Sequence, residues 1–160
     1  MELVKEGSLS VLTKEQLQGS MNKKFRHNVT DEMINFINAT EGDEFRSVYK
    51  ENLIGFADVI QNGRYKMADY INAVKFVSYK LIGDSNTIAY AKTFPDRYQR
   101  LVDKNTPAKT ISSFSTAYNK GDLVHKILER TLVPVHIINM DVHQEAINTQ
   151  ADLMRNAKSE

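Results

Sequence analysis

Glycine and proline are scarce in this chain, with seven Gly and three Pro among 160 residues, about 6% where roughly 12% is usual. A turn-rich β-sandwich needs more of both to reverse direction, and low-complexity disorder is enriched in them. Helices are what remain, and the apolar spacing agrees. Tyr49, Leu53, Phe56 and Ile60 recur at intervals of four, three and four, and Tyr70, Val74, Val77 and Leu81 repeat that rhythm, which is the period of one helix face. The expected fold class is all-α. Only 132–138, rich in β-branched residues, leaves helix and strand both open, and no internal repeat is present.

The few helix-breaking residues fall where helices should end. Thr13 with Gln16 forms a capping box opening a helix through about Gln18. Thr30 can cap a helix carrying Met33, Ile34, Phe36 and Ile37 that ends before Thr40. Asn62-Gly63 is a turn, and Gly83 is a C-terminal cap for the helix holding Tyr70 to Leu81. Two short helices follow, Asn86 to Lys92 and Asp96 to Asp103, the second with Pro95 in its first turn, where a missing N–H costs nothing. Thr106-Pro107 is a helix start, with the hydroxyl as cap and Pro at the first helical position. Ile111, Phe114 and Tyr118 are expected on one face of that helix, and Leu123, Ile127 and Thr131 on the next, up to a break at Pro134.

Several chemistries are excluded or unsupported. Without cysteine there is no disulfide framework, thiolate zinc site or thiol nucleophile. No apolar run approaches the ~18 residues of a membrane span, and residues 1–20 lack the charged-then-apolar pattern of a signal peptide. A soluble, cytoplasmic protein is the expectation. Neither glycine-rich nucleotide-binding pattern occurs. His136 and His143, with Asp141 and Glu145 nearby, are seven residues apart rather than the three or four of zinc helices. The Asp141–Glu145 pair is of a kind common on solvated helices. No metal, cofactor or catalytic activity is expected.

The net charge of +1 hides an uneven distribution. Residues 1–63 carry a balance of −3 and residues 110–160 a balance of −1, whereas 64–109 hold nine basic and four acidic side chains, a balance of +5. A basic segment between acidic flanks is the footprint of phosphate binding, since each neutralised phosphate releases counterions. A solvated helix face is the plainer explanation of the same charges. A smaller basic cluster, Lys23-Lys24-Phe25-Arg26-His27, is either an arm touching a nucleic-acid backbone or a surface loop.

Within that basic segment, Phe76 to Tyr98 has the layout of a helix-turn-helix unit: a longer helix, a tight turn, a short helix, a second turn and a short basic helix. In such a unit the last helix enters the major groove. Here it carries Arg97, Gln99 and Arg100, with Lys104 behind and Lys92 on the helix before. Arg can bond guanine and Gln adenine in bidentate fashion, and Lys meets phosphate. A helical core on Phe76, Ala89, Phe94 and Leu101 accounts for the apolar residues under either reading.

Phe76, Tyr79 and Leu81, then Asn86 and Ala89-Tyr90, then Thr93-Phe94-Pro95 make this stretch resemble the DNA-binding unit of bacteriophage small terminase subunits. The likeness covers about 30 residues, and this chain has Thr93-Phe94-Pro95 where the family commonly has a Gly-aromatic turn. The resemblance implies a non-enzymatic protein of the infected bacterial cytoplasm. It would recognise double-stranded viral DNA and close into a ring of about eight to twelve subunits, nine favoured, as cyclic homo-oligomers do. That ring would recruit and regulate the large terminase, which supplies ATPase and nuclease activity for genome packaging.

On that reading the chain divides into an N-terminal arm (1–29), a helical DNA-binding module (30–105, with the helix-turn-helix-like unit at 67–104) and a helical oligomerisation module (106–160). The last contains a heptad of Ile137, Met140, Gln144, Ile147, Ala151 and Met154. A tight two-stranded coil favours Ile, Val and Leu at such positions, so a seam holding Gln, Ala and two Met suits a looser assembly or a helix folded back on its own chain. Linked copies would also strengthen the weak phosphate binding of a single small module. Two other readings remain: a dimeric helix-turn-helix transcriptional regulator, and a helical adaptor that binds only protein.

Overall fold

A computed structural model describes residues 11–61 and 64–132 of the chain. Among the described residues there are nine α-helices and no strand. In order they are α1 (Lys14–Gly19), α2 (Lys23–Arg26), α3 (Asp31–Asn38), α4 (Asp43–Gly55), α5 (Met67–Leu81), α6 (Asn86–Thr93), α7 (Pro95–Asp103), α8 (Ala108–Asn119) and α9 (Asp122–Leu132), with a 3-10 turn at Ala57–Ile60 between α4 and α5. The described residues up to Leu128 form one compact unit. Pro134, the His136–Glu145 group and the Ile137–Met154 heptad lie outside the described residues. No helix among the described residues is long and apolar enough to cross a membrane.

Local hydrogen bonding sets most helix ends. The Thr13 hydroxyl accepts from the Gln16 N–H at 3.1 Å and the Gln16 side chain accepts from the Thr13 N–H at 2.9 Å, so two otherwise orphaned donors are satisfied. Thr30 caps α3 through the Met33 N–H, and Ser85 caps α6 through the Ile88 N–H, each at 3.2 Å. The last turn of α5 closes with the Gly83 N–H on the Lys80 carbonyl and the Asp84 N–H on that of Tyr79, a Schellman motif that needs a left-handed residue. Gly83 supplies it at φ +110°. A methyl group there would meet no atom within 4 Å, so Gly83→Ala is expected to cost about 1–2 kcal/mol through backbone strain alone. Urea denaturation reads this directly, and an unchanged midpoint would contradict the assigned conformation.

The centre of the unit is α5, which buries Met67, Tyr70, Ile71, Ala73, Val74, Phe76 and Val77. A helix apolar on nearly every side must be surrounded. α4 supplies one wall: Phe45 stacks on Tyr79 at 3.9 Å between centroids, and the Asn52 amide donates to the Ser78 hydroxyl at 2.9 Å. The Tyr70 hydroxyl donates to the Leu53 carbonyl at 2.7 Å, one of the last four carbonyls of α4 that lack a helical partner. In return, the Tyr49 hydroxyl donates to the Ile71 carbonyl at 3.1 Å. On the other side, Phe76, Tyr90, Phe94 and Tyr118 form an aromatic cluster, with Phe76 and Phe94 each edge-on to Tyr118 at about 5 Å.

Several expectations from spacing are corrected. The stripe from Tyr49 to Ile60 is not one helix: α4 ends at Gly55 and the chain tightens into the 3-10 turn, consistent with the Leu53 carbonyl being taken by Tyr70. Leu81 is exposed, because the helix ends there and turns away at Gly83. Helix α8 starts at Ala108, with Pro107 as its N-cap and no side-chain cap from Thr106. Its inner stripe is Ile111, Ser115 and Tyr118, while Phe114 faces out. Ser115 is fully buried yet satisfied, its hydroxyl donating to the Ile111 carbonyl at 3.0 Å. In α9, Val124 and Ile127 are the buried pair.

The segment expected as an arm is packed where it is described. Leu12, Leu17, Met21 and Val29 belong to the same core as α4 and α5. The Asn38 side chain clamps Leu12 by donating to its carbonyl and accepting from its N–H, both at 2.8 Å. Arg26, one of the basic cluster, is turned to the carbonyls of Gln18 and Met21. No break falls at residue 105 either, since α6 packs on both α5 and α8.

Candidate nucleic-acid interface

The basic segment 64–109 does not fold into a single charged face. Lys75 is 8% exposed, its ammonium 4.9 Å from the Phe36 ring centroid, and burial lowers its pKa. Lys80 donates to the Asn119 side chain, and burial lowers its pKa also. Lys92 bridges to Asp84 at 2.9 Å, with its ammonium 5.2 Å from the Tyr79 ring centroid. That contact pins the turn between α5 and α6, so Lys92 is half-exposed but engaged in holding the fold.

The five side chains expected to meet DNA are thus placed differently. α6 passes into α7 through Phe94 alone, with Pro95 in the first turn of α7. A conventional helix-turn-helix connection has three or four residues. α7 buries no side chain and is seated through half-buried Tyr98 and Leu101. At 100° per residue, the side opposite these two carries Asp96, Gln99, Arg100 and Asp103, all exposed. Gln99 donates to Asp103 at 2.8 Å. Arg97 lies on the flank, its guanidinium 4.3 Å from the Phe94 ring centroid. Arg100 and Lys104 are exposed and in no ion pair among the described residues. Arg97, Arg100 and Lys104 therefore share the α7 region at its surface, with two carboxylates on the outward side, whereas Lys92, on α6, is bridged to Asp84.

Beside Arg97 is an open pocket of about 340 Å³ whose walls include Tyr65, Asp69, Phe94, Tyr118 and Asp122. The Tyr65 hydroxyl donates to Asp122, which holds that carboxyl below its ordinary pKa, with Lys126 and Arg64 assisting. Burial pushes the Tyr118 hydroxyl pKa well up against the opposing influence of Arg97. The carboxylates on this wall make it a poor place for a phosphate.

The chain leaves α7 through a second Schellman turn. The Thr106 N–H bonds to the Leu101 carbonyl, and Asn105 takes the left-handed position at φ +58°, which Asn tolerates better than most residues. Beyond it, a groove of about 390 Å³ runs along α8, lined by Lys109, Ser112, Ser113, Thr116, Ala117 and Lys120. Spacing alone did not mark this groove. Its signal in the sequence is the absence of any Asp or Glu between Lys104 and Gly121.

The described residues contain no group of three His, Asp or Glu side chains able to hold a metal ion. Among the described residues, the class these observations define is an all-helical protein with an exposed, partly basic helical surface around α7 and α8. No protein-family model, curated protein or solved structure matches the chain.

Proposed function

We propose that this chain is a small terminase-like subunit: a non-enzymatic protein that recognises double-stranded viral DNA, assembles as a ring and recruits and regulates a large terminase for genome packaging. The observation that carries the reading is α7, a short helix with no buried side chain that leaves Arg97, Gln99, Arg100 and nearby Lys104 at the surface. A helix held this lightly at the edge of a core suits insertion into a groove. The resemblance of residues 76–98 to the DNA-binding unit of small terminases supplies the biological setting, and the 137–154 heptad supplies a candidate assembly seam. The site of action would be the cytoplasm of the infected bacterium.

Two measurements on the full chain test this. Light scattering on a sizing column should give the mass of a large closed oligomer; a dimer would overturn the ring and favour a transcriptional regulator. Gel shifts across a salt series should show duplex binding that weakens steeply with salt, and binding to no duplex would remove the nucleic-acid reading. Arg97→Ala with Arg100→Ala should weaken DNA binding with oligomer mass unchanged. Loss of both properties together would make these residues structural.

A further inference from the structure

We infer that the exposed face of α8, rather than α7 alone, grips the phosphodiester backbone of duplex DNA, an inference that rests on the DNA-binding reading above. Lys109, Ser113, Thr116 and Lys120 follow one another at four, three and four residues, so they lie in one stripe along the helix. Ser112 flanks the stripe, and together these residues line the groove along α8. Lysine ammonium and Thr hydroxyl groups commonly donate to phosphate oxygens, whereas the Ser113 hydroxyl donates to the Lys109 carbonyl at 3.0 Å and contributes a small side chain to the stripe.

Charge complementarity decides between the two helices. From Lys104 to Gly121 there are three lysines and no carboxylate. The outward side of α7, by contrast, carries Asp96 and Asp103 beside Arg100, and a polyanion approaching it meets both signs. Lys109 and Lys120 are exposed and in no ion pair among the described residues, so binding need not first break an internal contact. Lys75, Lys80 and Lys92, in the segment with the larger nominal charge, are buried or engaged.

The dimensions fit a duplex. Eleven residues at a rise of 1.5 Å put Lys109 and Lys120 about 16 Å apart along the axis, against a major groove roughly 12 Å wide. A helix crossing that groove can therefore set one lysine against each phosphate wall. The small side chains at 112, 113, 116 and 117 let the helix backbone come close between them.

The test is fluorescence anisotropy of the full chain with a labelled duplex, over a series of salt concentrations, for the wild type, Lys109→Gln/Lys120→Gln and Lys109→Arg/Lys120→Arg. Both positions are solvated and all three residue types are good helix formers, so circular dichroism and the thermal midpoint should not change. The Gln pair should bind about tenfold more weakly, and its slope of log affinity against log salt should be shallower by about 1.8, close to 0.9 for each lost phosphate contact. The Arg pair should bind like the wild type. If the wild type binds and the Gln pair keeps its affinity and slope, the α8 inference is wrong while the DNA-binding reading stands. If the Arg pair loses binding as the Gln pair does, positive charge is not what the face supplies and the inference is also wrong. No duplex binding by the wild type overturns the underlying reading and the inference with it.

Discussion

Phe76→Ala should destabilise the fold by about 3–5 kcal/mol and lower the melting temperature by roughly 10 °C in a chain of this size. Phe76 is fully buried in α5, and its ring meets Tyr118 edge-on at 4.9 Å. Tyr118 in turn meets Phe94 at 5.0 Å and Tyr90 at 6.0 Å. Truncation therefore removes the transfer free energy of a large side chain and also opens a cavity under the contact that joins α5, α6 and α8. Aromatic pairs of this kind add about 0.5–1.5 kcal/mol beyond the area buried. Phe114→Ala is the matched control: it shortens the same residue type on α8, but Phe114 is 48% exposed, so its effect should fall within about 1 kcal/mol. Denaturation curves giving equal losses for the two variants would contradict the orientation of α8.

The second large effect is an alkaline one. Tyr49 and Tyr70 are both fully buried, and burial raises their pKa values well above the ordinary 10.0. Coulombic repulsion adds to this, mainly from Tyr79 at Tyr49 and from Asp58 at Tyr70. In the unfolded chain the same hydroxyls lose their protons near pH 10, so above that pH the native state holds protons the unfolded state has released. Native stability is then fully present below pH 10 and falls as pH rises towards the folded-state values, by about 1.4 kcal/mol per pH unit for each group, or roughly 3 kcal/mol for the pair. Absorbance at the phenolate band should show exposed tyrosines titrating first and Tyr49 and Tyr70 ionising only as helical circular dichroism is lost. All seven tyrosines titrating together with the helices intact would refute the burial. Tyr70→Phe separates the hydrogen bond from the ring: it leaves the terminal Leu53 carbonyl of α4 without its partner and should cost about 1–2 kcal/mol at neutral pH.

The candidate interface was partly legible in the chain. Arg97, Gln99, Arg100 and Lys104 are at the surface, as a short polar helix begun by Pro95 implies. Lys92 looked equivalent to them and is not, because its partner Asp84 is eight residues away across a turn whose geometry depends on Gly83. Lys75 counted towards the basic balance, yet its helix is enclosed on nearly all sides. The groove on α8 is hidden in the segment balances because Lys109 belongs to the basic segment 64–109 and Lys120 to the net-acidic segment 110–160.

What the sequence determined by itself was local: the all-helical class of the described residues, the capping box at Thr13 and Gln16, the cap at Thr30, the stop at Gly83 and the start at Pro95. Each of these depends on hydrogen bonds or backbone preferences within about one turn, so the residues that decide it are adjacent in the chain. Only tertiary structure decided that residues 11–29 pack into the core, that α8 turns Ser115 inward and Phe114 outward, and which lysines remain available. Most of those outcomes depend on partners far away in the chain, such as Asn38 for Leu12, Phe36 for Lys75 or Asn119 for Lys80, and even Lys92 is taken by a residue beyond its own helix, Asp84. Periodicity can say that a helix has two faces, but the face that is buried is chosen by whatever packs against it.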